Sequence, residues 1–169
     1  MASKYCATNC CRTLFDWVGP IVLSAFLLAV RIIWGWQFHI AGKGKLGDIQ
    51  KPIGFFHDIN IPFATANAWF VSCLECFGGL LLLVGLFSRP VALMLTINMI
   101  VAYLTADREA WNALFHDGDV TKFSAAAPFW FLVASALVLG CGPGMFSIDA
   151  IIKRLFFRRP NLADRLDEV

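Results

Sequence analysis

The sequence predicts an all-α membrane protein: an antiparallel four-helix transmembrane bundle with a C-terminal interfacial helix. Three observations carry that prediction. The chain is 59% hydrophobic and 15% charged, where soluble domains run at about 45–50% and about 25%. Its apolar residues gather into four runs of roughly membrane length. The segments between the runs hold the glycines, prolines and most of the charges. A formal net charge of +2, with lysine and arginine not interleaved with aromatics, gives no groove for nucleic acid.

The first 18 residues are polar and mixed, with Leu14, Phe15, Trp17 and Val18 forming a short interfacial turn. Pro20 suits a helix's first turn, so the first span reads as 20–41, ended by Gly42-Lys43-Gly44-Lys45. That run is broken by Arg31 and ends without a small-residue cleavage site, so no cleavable signal peptide is expected. Residues 46–62, with Pro52, Phe55, Phe56 and His57, form a loop long enough to fold over the membrane surface.

The second span is 64–86, nearly unbroken apolar residues with Glu75 near its centre. Phe87-Ser88-Arg89-Pro90 makes a tight turn into a third span, 90–105. The stretch 107–115 extends it as a helix beyond the bilayer, and Asp117-Gly118-Asp119 breaks it. The fourth span, 123–141, is kinked at Pro128. Gly140-Cys-Gly-Pro-Gly144 stops it, and Ser147 caps a last helix, 148–159. There Ile151, Ile152, Leu155 and Phe156 oppose Lys153, Arg154, Arg158 and Arg159, the pattern of a helix lying in the interface.

The reading is therefore one four-span membrane domain, 1–159, followed by a polar cytoplasmic tail, 160–169. Four spans put both ends on one side. Eight lysines and arginines flank that side against five on the other, which points to an inner (cytoplasmic) membrane protein, N-in and C-in.

A carboxylate left in hydrocarbon costs at least about 2.5 kcal/mol, so Glu75 is expected to face protein and to have a partner. Arg31 lies as far into the first run as Glu75 does into the second, which runs back. The two are expected to meet near the midplane, with Asn98 at a similar depth. On helical wheels each of the three shares its face with small residues, Gly35 and Gly42 among them. His39, Asn67, Trp34 and Trp69 lie on the outer side of that cluster. Together they describe a funnel walled by aromatics and floored by Arg31 and Glu75, suited to an amphipathic ring such as a quinone. Arg31 and Glu75 would be the catalytic pair, and Asn98, His39, Asn67, Trp34 and Trp69 ligand-binding. The bland alternatives are an ion pair that fixes helix register and tryptophans that anchor at the interface.

Cys73-Leu-Glu-Cys76 is a CxxC, but it sits within a predicted helix where closure strains the turn and thiolates are desolvated. Small buried hydrophobes is the better reading. No metal site is expected: His39, His57 and His116 lack ligand spacing.

Taken together, Arg31-x3-Gly35, Gly42-x2-Lys45-Leu46, Glu75-x2-Gly78-Gly79 through Gly85-Leu-Phe-Ser-Arg89, and Gly142-Pro143-Gly144-x2-Ser147-x-Asp149 resemble the DoxX family across roughly residues 30–153. The resemblance implies a four-helix integral membrane protein linked to thiol or sulfur redox chemistry and the quinone pool. It implies no covalently bound cofactor. Two readings follow: a quinone-interacting subunit of a membrane oxidoreductase, or a non-catalytic accessory subunit packed against a larger membrane protein complex. A homo-oligomer is the alternative to that larger complex, and a lone monomer or homodimer would argue against the accessory reading. A small transporter is a poorer third, since four short spans with one buried ion pair make a poor permeation path.

Overall fold

The computed structural model describes residues 2–156, with side chains from Val18 onward. The polar tail expected at 160–169 and the last residues of the final helix lie outside the described residues. Every regular element among the described residues is helical. They are α1 (Ala2–Gly47), α2 (Gln50–Asp58), α3 (Ala64–Val84), α4 (Ser88–Thr105), α5 (Arg108–Asn112), a π-helical turn (Ala113–Asp117), α6 (Val120–Ala125), α7 (Phe129–Cys141) and α8 (Ile148–Phe156).

Among the described residues, three helices are long and apolar enough to cross a membrane: Val18–Gly47, Ala64–Val84 and Ser88–Thr105. The fourth apolar helix, Phe129–Cys141, is shorter. The expected span 123–141 is a break rather than a kink. The chain turns extended at Ala126, and Pro128 becomes the N-cap of α7, because proline has no N–H to continue the earlier ladder.

Two boundaries near the first span differ from expectation. Pro20 lies inside α1 rather than opening it, and α1 continues through Lys43 and Lys45 to Gly47. Leu46 and Gly47 therefore belong to the helix, and the expected surface loop contains α2.

Helix α1 packs along α3, α3 against α4, α4 against α7, and α7 returns to α1. The core between them holds Phe38, Leu82, Val91, Ala92, Leu95, Met99 and Val138. What fixes the α1–α3 register is backbone approach at glycine. A methyl group on Gly79 would stand 2.6 Å from the His39 nitrogen and 2.7 Å from the Gly35 oxygen, and one on Gly42 would overlap the Cys76 backbone. Neither neighbour is a flexible side chain, so only glycine admits this spacing. The same register puts Glu75 beside Gly42 and Arg31 beside Gly85.

Helix α3 ends on Gly85, in the left-handed region at φ 74°. The Gly85 and Leu86 amides bond back to Leu82 and Leu81 carbonyls at 3.2 and 3.0 Å, closing the helix end. Beyond α4, Asp119 caps α6 by accepting from Thr121 and Lys122 amides.

Candidate functional site

Glu75 is 3% exposed, and its neighbours are not those expected. Lys45 Nζ donates to both carboxylate oxygens, at 2.7 and 2.6 Å, and Asn98 Nδ2 donates to Oε1 at 3.2 Å. Three helices supply the cluster: Lys45 from the last turn of α1, Glu75 from mid-α3, Asn98 from α4. Glu75 lies ten residues from Gly85, and Asn98 ten from Ser88, so both stand about 15 Å above the α3–α4 turn. That is half of a hydrocarbon core of about 30 Å.

The cluster forms one end of a cavity of about 850 Å³ bounded by α2, α3 and α4. Its walls are mostly apolar: Phe55, Phe56 and Ile59 from the α2 side, Phe70, Val71 and Leu74 from α3, Met94, Ile97 and Val101 from α4. Besides the three clustered groups, the polar lining is Lys51, Asn67 and Thr105. Asn67 Nδ2 is tied to the Pro62 carbonyl at 2.7 Å.

Arg31 does not pair with Glu75. It is 1% exposed and stands at the turn end of the molecule, where Nη2 donates to the Phe146 carbonyl at 2.6 Å and Nη1 packs against Gly85. Among the described residues its Nε and Nη1 have no hydrogen-bond partner. Centring the first span on 20–41 placed Arg31 level with Glu75. The glycine contacts instead slide α1 so that its C-terminal turn reaches Glu75. The funnel floored by both residues is therefore absent, and a different cavity holds Glu75.

Of the other expected ligand-binding residues, Asn98 and Asn67 line the cavity, whereas His39, Trp34 and Trp69 do not. His39 Nδ1 sits 3.1 Å from the Cys76 carbonyl oxygen and 3.5 Å from its Sγ. Trp34 stacks on Trp130 at 6.2 Å and 11°, bridging α1 and α7. Trp69 is half exposed on the outside of α3. Cys73 and Cys76 are free thiols in this structure. Lys45 is the residue that sequence reasoning missed. It looked like a flanking surface lysine beyond the end of a span, and the only signal was a long cationic stem within reach of an unpartnered carboxylate.

Residues 26–108 match the DoxX family model. That segment belongs to the DoxX family. In Bacillus subtilis (strain 168), the protein named "Putative oxidoreductase CatD" is 30% identical over 83 residues, which are 49% of this chain and 60% of that relative. The match thus spans about three fifths of the relative's length. No solved structure matches the chain.

The DoxX segment contains the whole Lys45–Glu75–Asn98 cluster and Arg31. The motifs that resemble the family fall into two places in the fold. Lys45 and Glu75 meet at the cavity, with Gly42 against the Glu75 and Cys76 backbone beside them. Arg31, Gly85, Ser147 and Asp149 meet at the turn end. There Asp149 accepts from the Phe87 and Ser88 amides at 2.9 and 2.8 Å, its own amide donates to the Gly85 carbonyl at 3.0 Å, and Ser147 Oγ caps α8 by accepting from Ala150 at 3.1 Å. This second cluster ties the 142–149 loop to the α3–α4 turn.

Proposed function

We propose that this DoxX chain is the quinone-interacting subunit of a membrane oxidoreductase, working with a partner in a larger membrane complex that handles thiol or sulfur donors. The carrying observation is the apolar cavity of about 850 Å³ that ends on a buried, paired carboxylate. Pockets for amphipathic rings combine that kind of wall with a few converging polar groups. The relative's printed name, an oxidoreductase, points the same way. In this reading α1, α3, α4 and α7 form an antiparallel four-span bundle in the inner membrane, with the α3–α4 turn and α8 on the cytoplasmic side, following the eight-to-five charge bias.

A bound quinone supplies a two-electron, two-proton acceptor. The chain's own groups position and protonate it. Lys45 and Asn98 each carry donors that can turn from Glu75 to a ring carbonyl oxygen without leaving their helices. Once Lys45 turns to the ring, the freed Glu75 carboxylate takes up one of the two protons released by the donor and relays it to that oxygen. One pair of thiols oxidised to a disulfide in the partner releases two electrons and two protons, the number that reduction of one quinone to quinol takes up. Arg31 serves this design by fastening the 142–149 loop.

Replacing Glu75 with glutamine keeps the size and the contact with Asn98 but removes the proton-holding group. In native membranes Glu75→Gln should abolish donor-to-quinone turnover while the protein remains folded and inserted. Unchanged turnover would overturn the proposal.

A further inference from the structure

The wall of the cavity on α4 carries two stripes. Asn98, Ala102 and Thr105, spaced i, i+4, i+7, form the inner one. Met94, Ile97 and Val101, spaced i, i+3, i+7, form the outer one, and all six line the cavity. The outer three are also 52%, 51% and 45% exposed, and Phe70 across on α3 is 59% exposed. A side chain that lines a cavity and still has about half of its surface uncovered by protein stands where the wall does not close. From Met94 to Val101 the opening rises about 10 Å along the middle of a span. At that depth the outside is acyl chain, not water.

We infer that the cavity takes its ligand sideways from the bilayer, and that the ligand is lipid-borne: a ring head against Lys45, Glu75 and Asn98, with an aliphatic tail leaving past Ile97, Val101 and Phe70. The inference rests on the quinone reading and narrows it to long-tailed quinones. Physical chemistry favours the arrangement because the tail stays in hydrocarbon throughout, so its passage exposes no apolar surface to water. The head reaches mid-bilayer depth without crossing the polar rim at Lys51 and Thr105. The slot residues carry no polar atoms on their side chains, so they would set tail tolerance and leave head recognition to the charged cluster.

The test measures equilibrium binding to the full chain in phosphatidylcholine vesicles, using two probes: a benzoquinone with a decyl tail, and the same ring with a methyl group instead. Ile97→Trp, with Val101→Trp as the second variant, narrows the slot. Thr105→Trp narrows the α2 end. Helicity and thermal unfolding verify the fold of each variant. The slot variants should weaken the tailed probe about tenfold or more while leaving the tailless one within about twofold, and Thr105→Trp should leave the tailed probe within about twofold. A tailed probe indifferent to both slot variants but weakened by Thr105→Trp overturns lateral entry and spares the quinone reading. Failure of wild-type protein to bind either probe overturns the quinone reading, and lateral entry of a quinone with it.

Discussion

Replacing Lys45 with methionine is the sharpest test of how Glu75 is held. Methionine keeps the length of the stem and removes the only cation within ion-pair distance of that carboxylate among the described residues. The carboxylate side chain is 4% exposed, so water cannot take over from the lost ammonium. One hydrogen bond, from Asn98 at 3.2 Å, then remains. Breaking a buried pair from one side typically destabilises by about 3–5 kcal/mol, a drop of more than about a hundredfold in the folded-to-unfolded ratio. The lysine side chain is 38% exposed and its stem starts in the last turn of α1, so the opposite deletion, Glu75→Gln, leaves an ammonium that can swing away from mid-bilayer toward the headgroups and should cost about 1 kcal/mol or less. The double variant Lys45→Met/Glu75→Gln should therefore be more stable than Lys45→Met alone, by about 2–4 kcal/mol. Equilibrium unfolding in mixed micelles, followed by circular dichroism on all four proteins, gives the cycle. A double variant no more stable than Lys45→Met refutes the reasoning, because the stranded charge would then not be the cause.

Other consequences are independent of the ligand. Gly79→Ala places a methyl 2.6 Å from the His39 nitrogen, and since backbone cannot yield as a side chain would, a loss of about 2–3 kcal/mol is expected by the same unfolding assay. Asp149→Ala removes two hydrogen bonds to the first amides of α4 and should cost about 1–2 kcal/mol; protease sensitivity of the 142–149 loop should rise with it. Asp119 lies outside the spans, and the Lys122 amide, followed by the Thr121 amide and hydroxyl, holds its carboxyl below the usual aspartate range. A depressed folded-state value means that its contribution is complete above the ordinary aspartate range near pH 4 and fades as pH falls through the lower folded value. The protection factors of the Thr121 and Lys122 amides, which divide out the intrinsic pH dependence of exchange, should fall over that acid window and remain flat from pH 5 to 7.

Much of the fold was legible because a bilayer imposes strong rules on composition. The apolar runs, a turn between the second and third spans, the stop at Gly140 to Gly144 and the Ser147 cap are each readable from local chemistry, although the turn expected at Phe87 to Pro90 falls earlier, with α3 ending at Val84 and α4 already under way at Ser88; the helical extension after Asp107 is α5 with its π turn. The site was half legible. Glu75, Asn98 and Asn67 reach the cavity, as their polarity within apolar helices required. Arg31 did not reach it, because counting from the start of an apolar run assumes that a span begins where the run does. Helix α1 ignores that boundary and runs through Pro20 and past Gly42. Trp34 and Trp69, expected beside the cluster, lie on other faces of their helices, Trp34 against Trp130 and Trp69 half exposed. Local sequence reads Phe55 and Phe56 as part of a surface loop, and only the folding of α2 against α3 turns them into cavity wall.

By itself the sequence determined that the chain lives in lipid, that its backbone is helical, and that an acidic group in mid-span needs a companion, since hydrocarbon leaves an exposed peptide group or a lone charge no other remedy. Tertiary structure decided which companion. Helix register is set by side-chain-free backbone contact at Gly35, Gly42 and Gly79, a property of two helices together. Sliding α1 along α3 by those contacts exchanged an arginine for a lysine at the carboxylate and moved the arginine to the far end of the bundle.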